Sequence, residues 1–362
     1  MLDTRATGSV ERMTLALVLR GLEPRDAPSV HAISVEPEVA RTLGGTPFER
    51  EEDTAARLAG ARADKDLYLG AFDEGVLVGW AHLEGEMPVR RRHVARLAVA
   101  VRPSMQRRGV GTRLVGALVE AADRWWGYTR LELGVLADHA AAVALYEKHG
   151  FVVETRRRGE MLVDGTPRDC LGMARLRAGW RPLPALGEPP PIPPWGPRRE
   201  VVVRTRRVTD GAAYAALHST ESVMEGTFQL PYQTEAGWQA RFASTAPGAT
   251  ILAAEVDGRL VGSAGLFPLG QSPRFAHVRA FGIAVLPEMQ GAGVGEALMR
   301  ATLDHADRWL GLHRVMLEVF VDNARARALY GRHGFVLEGV ERAMALRRGA
   351  HEDSYVMGRV RL

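Results

Sequence analysis

Cysteine is nearly absent: Cys170 stands alone in 362 residues. A single thiol cannot close an intrachain disulfide or build a cysteine-based metal cluster, and it fits a reducing compartment. We therefore expect a cytoplasmic protein with no metal site. Lysine is almost as scarce, with only Lys65 and Lys148 among the 47 basic residues. No apolar run approaches the roughly 18 residues that a membrane helix needs. Met1 to Arg12 carries charges but no hydrophobic core, so neither a secretory signal nor a lipid anchor is expected there. That stretch reads as a loose leader. No block of one charge stands out either. The 43 acidic residues are interspersed with the basic ones and leave a net charge of +4. This argues against a nucleic-acid partner despite a sequence pI near 9.5.

What is present is length and repetition. The chain is too long for one ordinary core and fits two domains of roughly 150–170 residues each. His93 to Phe151 matches His277 to Phe335 at a constant offset of 184 without an insertion, and roughly half the positions are identical. Gln106 pairs with Gln290, Gly109 and Gly111 with Gly293 and Gly295, Trp125 with Trp309, and Tyr146 with Tyr330. The register carries on to Asp169/Asp353 and Met173/Met357. Between the copies, Pro182, Pro184, Pro189, Pro190, Pro191, Pro193, Pro194 and Pro197 exclude a helix or central strand. They favour an extended, semi-rigid spacer, in which Trp195 either pins the linker to a domain surface or stands exposed. The expected organisation is a leader over 1–12, a first domain over 13–178, a linker over 179–199 and a second domain over 200–362.

Each copy opens with a β-type run, Leu15 to Arg20 and Val201 to Arg206, followed by a helical stretch. A hairpin comes next: Asp73-Glu74-Gly75 and Asp257-Gly258 are turn signals between apolar runs. The following strands, His93 to Val101 and His277 to Val285, are apolar enough to be central. After the glycines, Leu114, Ala117, Leu118, Ala121, Ala122 and Trp125 recur at helical spacing and predict one core-facing stripe. A further apolar strand (Arg130 to Val135, Val315 to Val321) leads to a helix closed by Gly150 or Gly334. Two more strands complete the order β-α-α-β-β-β-α-β-α-β-β. The fold class is α/β in the mixed-sheet, α+β sense: a twisted sheet flanked by helices, in which only the strand–helix–strand crossover need be parallel.

The chemistry points to the turn between strand and helix. Gln106-Arg107-Arg108-Gly109-Val110-Gly111 and Gln290-Gly291-Ala292-Gly293-Val294-Gly295 both read Gln-x-x-Gly-x-Gly. Such glycines let backbone approach a ligand, and the N–H groups of a helix start hold phosphate oxygens. A dinucleotide fold would need a third glycine where Leu114 and Leu298 stand, and a Walker loop would need Gly-Lys-Ser/Thr; neither is found.

With this loop, the Asn-x-x-Ala-x-x-Leu-Tyr helix of copy two and the Gly-Phe that follows in both copies, the chain resembles the GCN5-related N-acetyltransferase family, twice. Copy two is most similar to small L-amino-acid N-acetyltransferases, through Phe281 to Val285, Val319 to Asn323 and Glu352 to Tyr355. The resemblance implies two acetyl-CoA sites. Backbone around Val99 and Val101, and around Ile283 and Val285, would meet the pantetheine arm; Gln106 to Thr112 (with Arg107, Arg108 and Val110) and Gln290 to Glu296 (with Gly291, Ala292 and Val294) would wrap the pyrophosphate. Asn323 takes the family's asparagine position, where copy one has His139, a departure that suggests a weakened or altered site. Tyr330 and Tyr146 would protonate the departing thiolate. Glu318 and Glu132 are candidates for the base, His93 and His277 lesser ones, and ordered water remains an alternative. Met224, Phe228, Leu230 and Tyr232 would help form the acceptor pocket. The expected acceptor is a small-molecule amine such as an amino acid; protein N-termini or lysines, and an acyl-CoA sensor without turnover, are the alternatives. Either an internal pseudo-dimer or a homodimer is open at this point.

Overall fold

The computed structural model describes residues 16–361 apart from 63, 86–87, 181–196 and 271. The expected leader, Leu15, Trp195 and the linker prolines before Pro197 lie outside the described residues. Copy one runs β1 (Val18–Gly21), α1 (Ala27–Ser34), α2 (Pro37–Leu43), α3 (Glu51–Ala59), β2 (Asp66–Asp73), β3 (Val76–Gly85), β4 (Val94–Val101), α4 (Val110–Ala121), β5 (Arg130–Leu136), α5 (Ala140–Lys148), β6 (Val152–Val163) and β7 (Thr166–Leu176). Copy two repeats it as β8 (Val202–Thr205), α6 (Gly211–Ser219), α7 (Glu221–Gly226), α8 (Glu235–Ala243), β9 (Thr250–Val256), β10 (Arg259–Pro268), β11 (Val278–Val285), α9 (Val294–Asp304), β12 (Arg314–Phe320), α10 (Ala324–Arg332), β13 (Val336–Arg347) and β14 (Ala350–Val360).

Two expectations need correcting. Three helices, not two, separate the first strand from the hairpin in each copy. In copy one Pro37 is the reason: it sits in the first turn of α2 and restarts the helix just after α1 has ended. The second correction concerns Trp125, which is 80% exposed, as its counterpart Trp309 is at 75%. A π-helical turn over Ala122–Trp126 widens the helix there, so the 3.6-residue stripe that buries Leu114, Leu118 and Ala122 no longer points the tryptophan inward. The hairpin turns behave as read, with Glu74 and Gly75, and Asp257 and Gly258, all at positive φ.

All fourteen strands form one sheet, in the order β1-β2-β3-β4-β5-β7-β6-β13-β14-β12-β11-β10-β9-β8. Among the described residues, only β4 with β5, and β11 with β12, are parallel. The copies meet at the centre, where Gly339 of β13 pairs with Thr155 of β6. No other residue type fits at Gly339: its φ is +155°, and a Cβ would lie 2.2 Å from the Glu154 carbonyl oxygen.

Across this seam the contacts are reciprocal under the same 184-residue offset. His93 Nε2 donates to the Ala343 carbonyl at 2.8 Å, and His277 Nε2 to the Gly159 carbonyl at 2.9 Å. Arg130 donates to the Arg342 carbonyl at 2.8 Å, and Arg314 to the Arg158 carbonyl at 2.9 Å. Both arginines are fully buried and each is paired with a buried carboxylate, Glu154 or Glu338. The internal repeat is thus an internal pseudo-dimer, and the two histidines each fasten one half to the other. Burial holds the His93 imidazole down at about 4, so it stays neutral and donates a single hydrogen bond.

A bulky residue at the seam should separate the halves. Gly339→Val is expected to lower the thermal midpoint by several degrees or more, in line with a loss of about 3 kcal/mol, whereas Gly331→Ala, on an exposed helix face with open space around it, should not. Differential scanning calorimetry checks both.

Candidate active site

The two parallel pairs are short. β4 and β5 are in register only at Val94/Arg130, Ala95/Leu131 and Arg96/Glu132, and β11 and β12 only at Val278/Arg314, Arg279/Val315 and Ala280/Met316. Beyond those points the strands part. Each stays fixed by its outer neighbour: β4 pairs with β3 through Val101, and β5 with β7 through Leu136. The rest of β4 therefore shows one side of its peptide backbone to a cleft inside the sheet, and those N–H and C=O groups need partners.

In copy one the cleft encloses roughly 530 Å³ and is lined by Val99, Val101, Gln106, Arg107, Gly109, Gly111, Thr112, His139 and Tyr146, with α2 as one wall. The loop at its mouth is shaped for close approach. Gly109 caps α4 at φ +90°, with open space where a Cβ would point, whereas a Cβ on Gly111 would lie 3.1 Å from Leu145 of α5. The first glycine thus frees the backbone, and the second lets two helices touch. Gly293 and Gly295 repeat the pair, the latter with Leu329 at 3.3 Å. These glycines and the free N–H groups at the start of α4 and α9 fit a pyrophosphate, and the exposed strand edge fits a chain of amides. Arg107 adopts φ +57°, the left-handed backbone that Gly291 takes in copy two at +83°.

Several expected cofactor contacts have other work. Gln106 and Gln290 donate to the carbonyls of Val101 and Val285 at 3.2 and 3.3 Å, bracing the loop against the strand end. Val110 and Val294 are buried in the core. Arg108 turns to the Met105 sulfur at 3.0 Å, and Glu296 to Arg300 at 2.8 Å and His333 at 3.1 Å. Ala292 is buried, and its carbonyl accepts a hydrogen bond from the Arg199 N–H at 2.9 Å, so the end of the linker lies against the second loop. His139 takes the same capping place as Asn323. Its Nδ1 accepts from the Ala142 N–H at 3.2 Å, as the Asn323 Oδ1 accepts from the Ala326 N–H at 3.1 Å, and both cap the helix that carries the tyrosine.

Tyr146 and Tyr330 are 6% exposed and line their clefts. Burial pushes the Tyr146 phenol up to about 12, and raises that of Tyr330 as well. Both hold their protons at neutral pH, as an acid must.

The two carboxylates diverge. Glu132 is met by Arg91 at 2.8 Å, Arg96 at 3.1 Å and Arg130 at 3.4 Å. Burial alone would raise its pKa; the three guanidiniums instead hold it down at about 2, as a carboxylate fixed in an ion-pair cluster. Glu318 borders both the cleft of copy two and a charged central cavity of about 310 Å³. Desolvation and the neighbouring Glu132 charge raise its carboxyl against the pull of Arg91. Its counterpart in copy one is Gly134, so the two clefts are not chemically equal.

The cleft of copy two is larger, at about 770 Å³. Its acceptor side carries Tyr214, Phe228, Trp238, Phe242, Phe267 and Phe320. Copy one has Val30, Gly44, Thr54, Leu58, Glu84 and Leu136 at those positions. Of the segment expected to form the pocket, Gly226 to Gln229 lines it, while Leu230 and Tyr232 are exposed, the latter at 95%. Of the aromatic wall, Phe228 was expected; the other five members lie on α6, α8, β10 and β12.

The acetyltransferase (GNAT) family profile matches residues 32–151 and again 216–335. The chain belongs to that family. It is therefore an N-acetyltransferase, with acetyl-CoA as the family's donor. It is 39% identical over 162 residues to the L-amino acid N-acetyltransferase AaaT of Escherichia coli, covering 45% of this chain and 99% of that protein. The similarity to the mycothiol acetyltransferase of Salinispora arenicola spans both copies: 30% identity over 309 residues, 81% of this chain and 84% of the relative. Among solved structures, a GNAT-family acetyltransferase from Streptococcus pneumoniae is 26% identical, covering 44% of this chain and 98% of its own, with a TM-score of 0.41. Among the described residues, no helix is long and apolar enough to cross a membrane.

If Glu132 is a structural anion, Glu132→Gln should destabilise the chain by about 3 kcal/mol and leave the pH limbs of turnover in place. The sign follows from its depressed pKa: the stabilisation is full above the ordinary carboxylate range near 4.5 and is lost as pH falls through about 2. Urea unfolding at pH 7 and pH 3 checks this, with the variant's deficit shrinking at the lower pH.

Proposed function

We propose that each cleft takes acetyl-CoA along the exposed edge of its parted strand, and that copy two acetylates the primary amine of a small molecule, an amino acid or a close relative of one. The observation that carries the reading is the coincidence in copy one of an unpaired strand edge, a glycine-shaped helix mouth and a buried, protonated tyrosine in one cleft; copy two repeats the parted strands, the glycine pair and a cleft tyrosine.

Acetyl-CoA supplies an activated acetyl group on a thioester. The chain's own groups do the rest. Main-chain N–H groups on the parted strand are placed to hold the pantetheine amides and to polarise a carbonyl oxygen. Tyr330 keeps a proton ready for a sulfur that leaves as thiolate, and Tyr146 does so in copy one. An amine of pKa near 10 must shed its proton before it can attack, and Glu318, its own pKa raised, is the carboxylate of copy two that borders the cleft. Copy one has no carboxylate there and would rely on water.

The relatives support a small acceptor: one is named for L-amino acids, and the other, which shares the tandem arrangement, for mycothiol. The aromatic wall of copy two supports an acceptor with an apolar face. The same wall's replacement by Val30, Gly44, Thr54, Leu58, Glu84 and Leu136 supports a different acceptor, or none, in copy one.

Thiol release from acetyl-CoA, measured with L-amino acids, polyamines and short peptides, tests this. At least one small amine should be turned over, and Tyr330→Phe should lower kcat by a factor on the order of a hundred or more. Retention of full rate in Tyr330→Phe would remove the tyrosine from its role. Tight acetyl-CoA binding without CoA release from any amine would favour the sensor instead.

A further inference from the structure

Between Val89 and Arg91 copy one makes a single 3-10 turn, and from it Arg90 reaches across the dyad into copy two. Its side chain is buried, at 8% exposure. Nε donates to the Leu346 carbonyl at 2.6 Å and Nη1 to the Met224 carbonyl at 2.7 Å, with a third contact to the carbonyl of Thr227. Met224 lies in α7, and Thr227 follows its last residue. The Met224 carbonyl already accepts from the Thr227 N–H at 3.2 Å, so the guanidinium adds a charged donor there and meets the negative end of the helix dipole.

The arrangement is duplicated. Arg274 stands 184 residues later, on the turn Pro273–Phe275, and reaches back into copy one. It donates to the carbonyls of Leu162 at 2.6 Å, Ala40 at 2.7 Å and Arg41 at 2.7 Å. Leu162 and Ala40 are the counterparts of Leu346 and Met224, so each arginine takes the same two acceptors in the opposite copy. Both clamped segments are cleft walls. Gly226 to Gln229 lines the cleft of copy two, together with Pro88 and Arg91 of copy one; Glu38, Val39, Thr42 and Leu43 of α2 line the cleft of copy one.

We infer that Arg90 and Arg274 are positioning residues acting in trans: each copy supplies the arginine that fixes the acceptor-side wall of the other, so neither acceptor pocket is complete on its own half of the chain. Taken as a statement about acceptor binding, this rests on the acetyltransferase reading of the clefts. The clamp touches the wall and not the parted strand, so its loss should weaken the acceptor and spare the acetyl donor.

The test uses the full chain. In hydrogen–deuterium exchange, Arg90→Ala should speed exchange over residues 220–230 by roughly tenfold or more and leave residues 36–46 unchanged; Arg274→Ala should give the crossed pattern. In steady-state assays on a Tyr146→Phe background, with each L-amino acid as acceptor, Arg90→Ala should raise the acceptor KM by roughly tenfold while the acetyl-CoA KM stays within about twofold. Arg90→Lys, which keeps the charge but not the fork, should recover part of the loss. Exchange that rises equally in both copies, or not at all, would overturn the inference, and so would an acceptor KM unmoved by Arg90→Ala. Absence of turnover in the unmodified protein would count against the acetyltransferase reading and leave the crossed exchange pattern to decide the clamp.

Discussion

A parallel strand pair that stops after three residues is the constraint around which each half of this molecule is organised. Inside a sheet, an unpaired peptide edge is costly unless something occupies it. Here the parting is enforced from outside. β3 grips β4 along seven residues, from Gly79/Val101 to Gly85/Ala95, and β7 grips β5 along its whole length. Neither strand is free to close the gap. The crossover helix α4 then starts at the open end, and Gly109 and Gly111 let it do so without a side chain in the way. A cleft with amides along one side and a helix mouth at its end follows from these restraints, and copy two repeats them.

Joining the copies edge to edge puts the strongest electrostatics of the protein between the clefts rather than in them. Arg130 with Glu154 and Arg314 with Glu338 are buried at the seam, where pairs of this kind specify how surfaces meet more than they add to stability. The carboxylates nearest the chemistry inherit this setting. Three arginines hold Glu132 as a fixed anion, while desolvation and the Glu132 charge push Glu318 up, and desolvation with the Glu318 and Glu132 charges pushes Glu341 to about 8. One cluster thus contains a carboxylate held in its charged form and two shifted the other way, and Glu318 also borders the larger cleft.

Much of this was legible in the residues. The offset of 184, the glycine turns and the hairpin signals gave the repeat, the loop and most strand positions, because each depends on local backbone demands that leave a local mark. The tyrosines and the capping position of Asn323 could be read in the same way, through a motif. What escaped reading depends on distant neighbours. His93 and His277 looked like strand-end histidines, and only the pairing of β6 with β13 reveals their acceptors, 250 and 118 residues away. Glu132 resembled Glu318 as a strand carboxylate until Arg91 and Arg96 closed on it. The aromatic wall comes from residues between Tyr214 and Phe320 with no periodic signature, and Trp125 was misread because a π turn leaves no clear pattern.

Isothermal titration of the full chain with acetyl-CoA addresses the twin clefts most directly. Two binding events per chain are expected, one for each parted strand pair, with both lost when Gly109 and Gly293 are replaced together by valine. A protein that folds normally and takes up no acetyl-CoA, or binds it unchanged after that double replacement, would contradict the assignment.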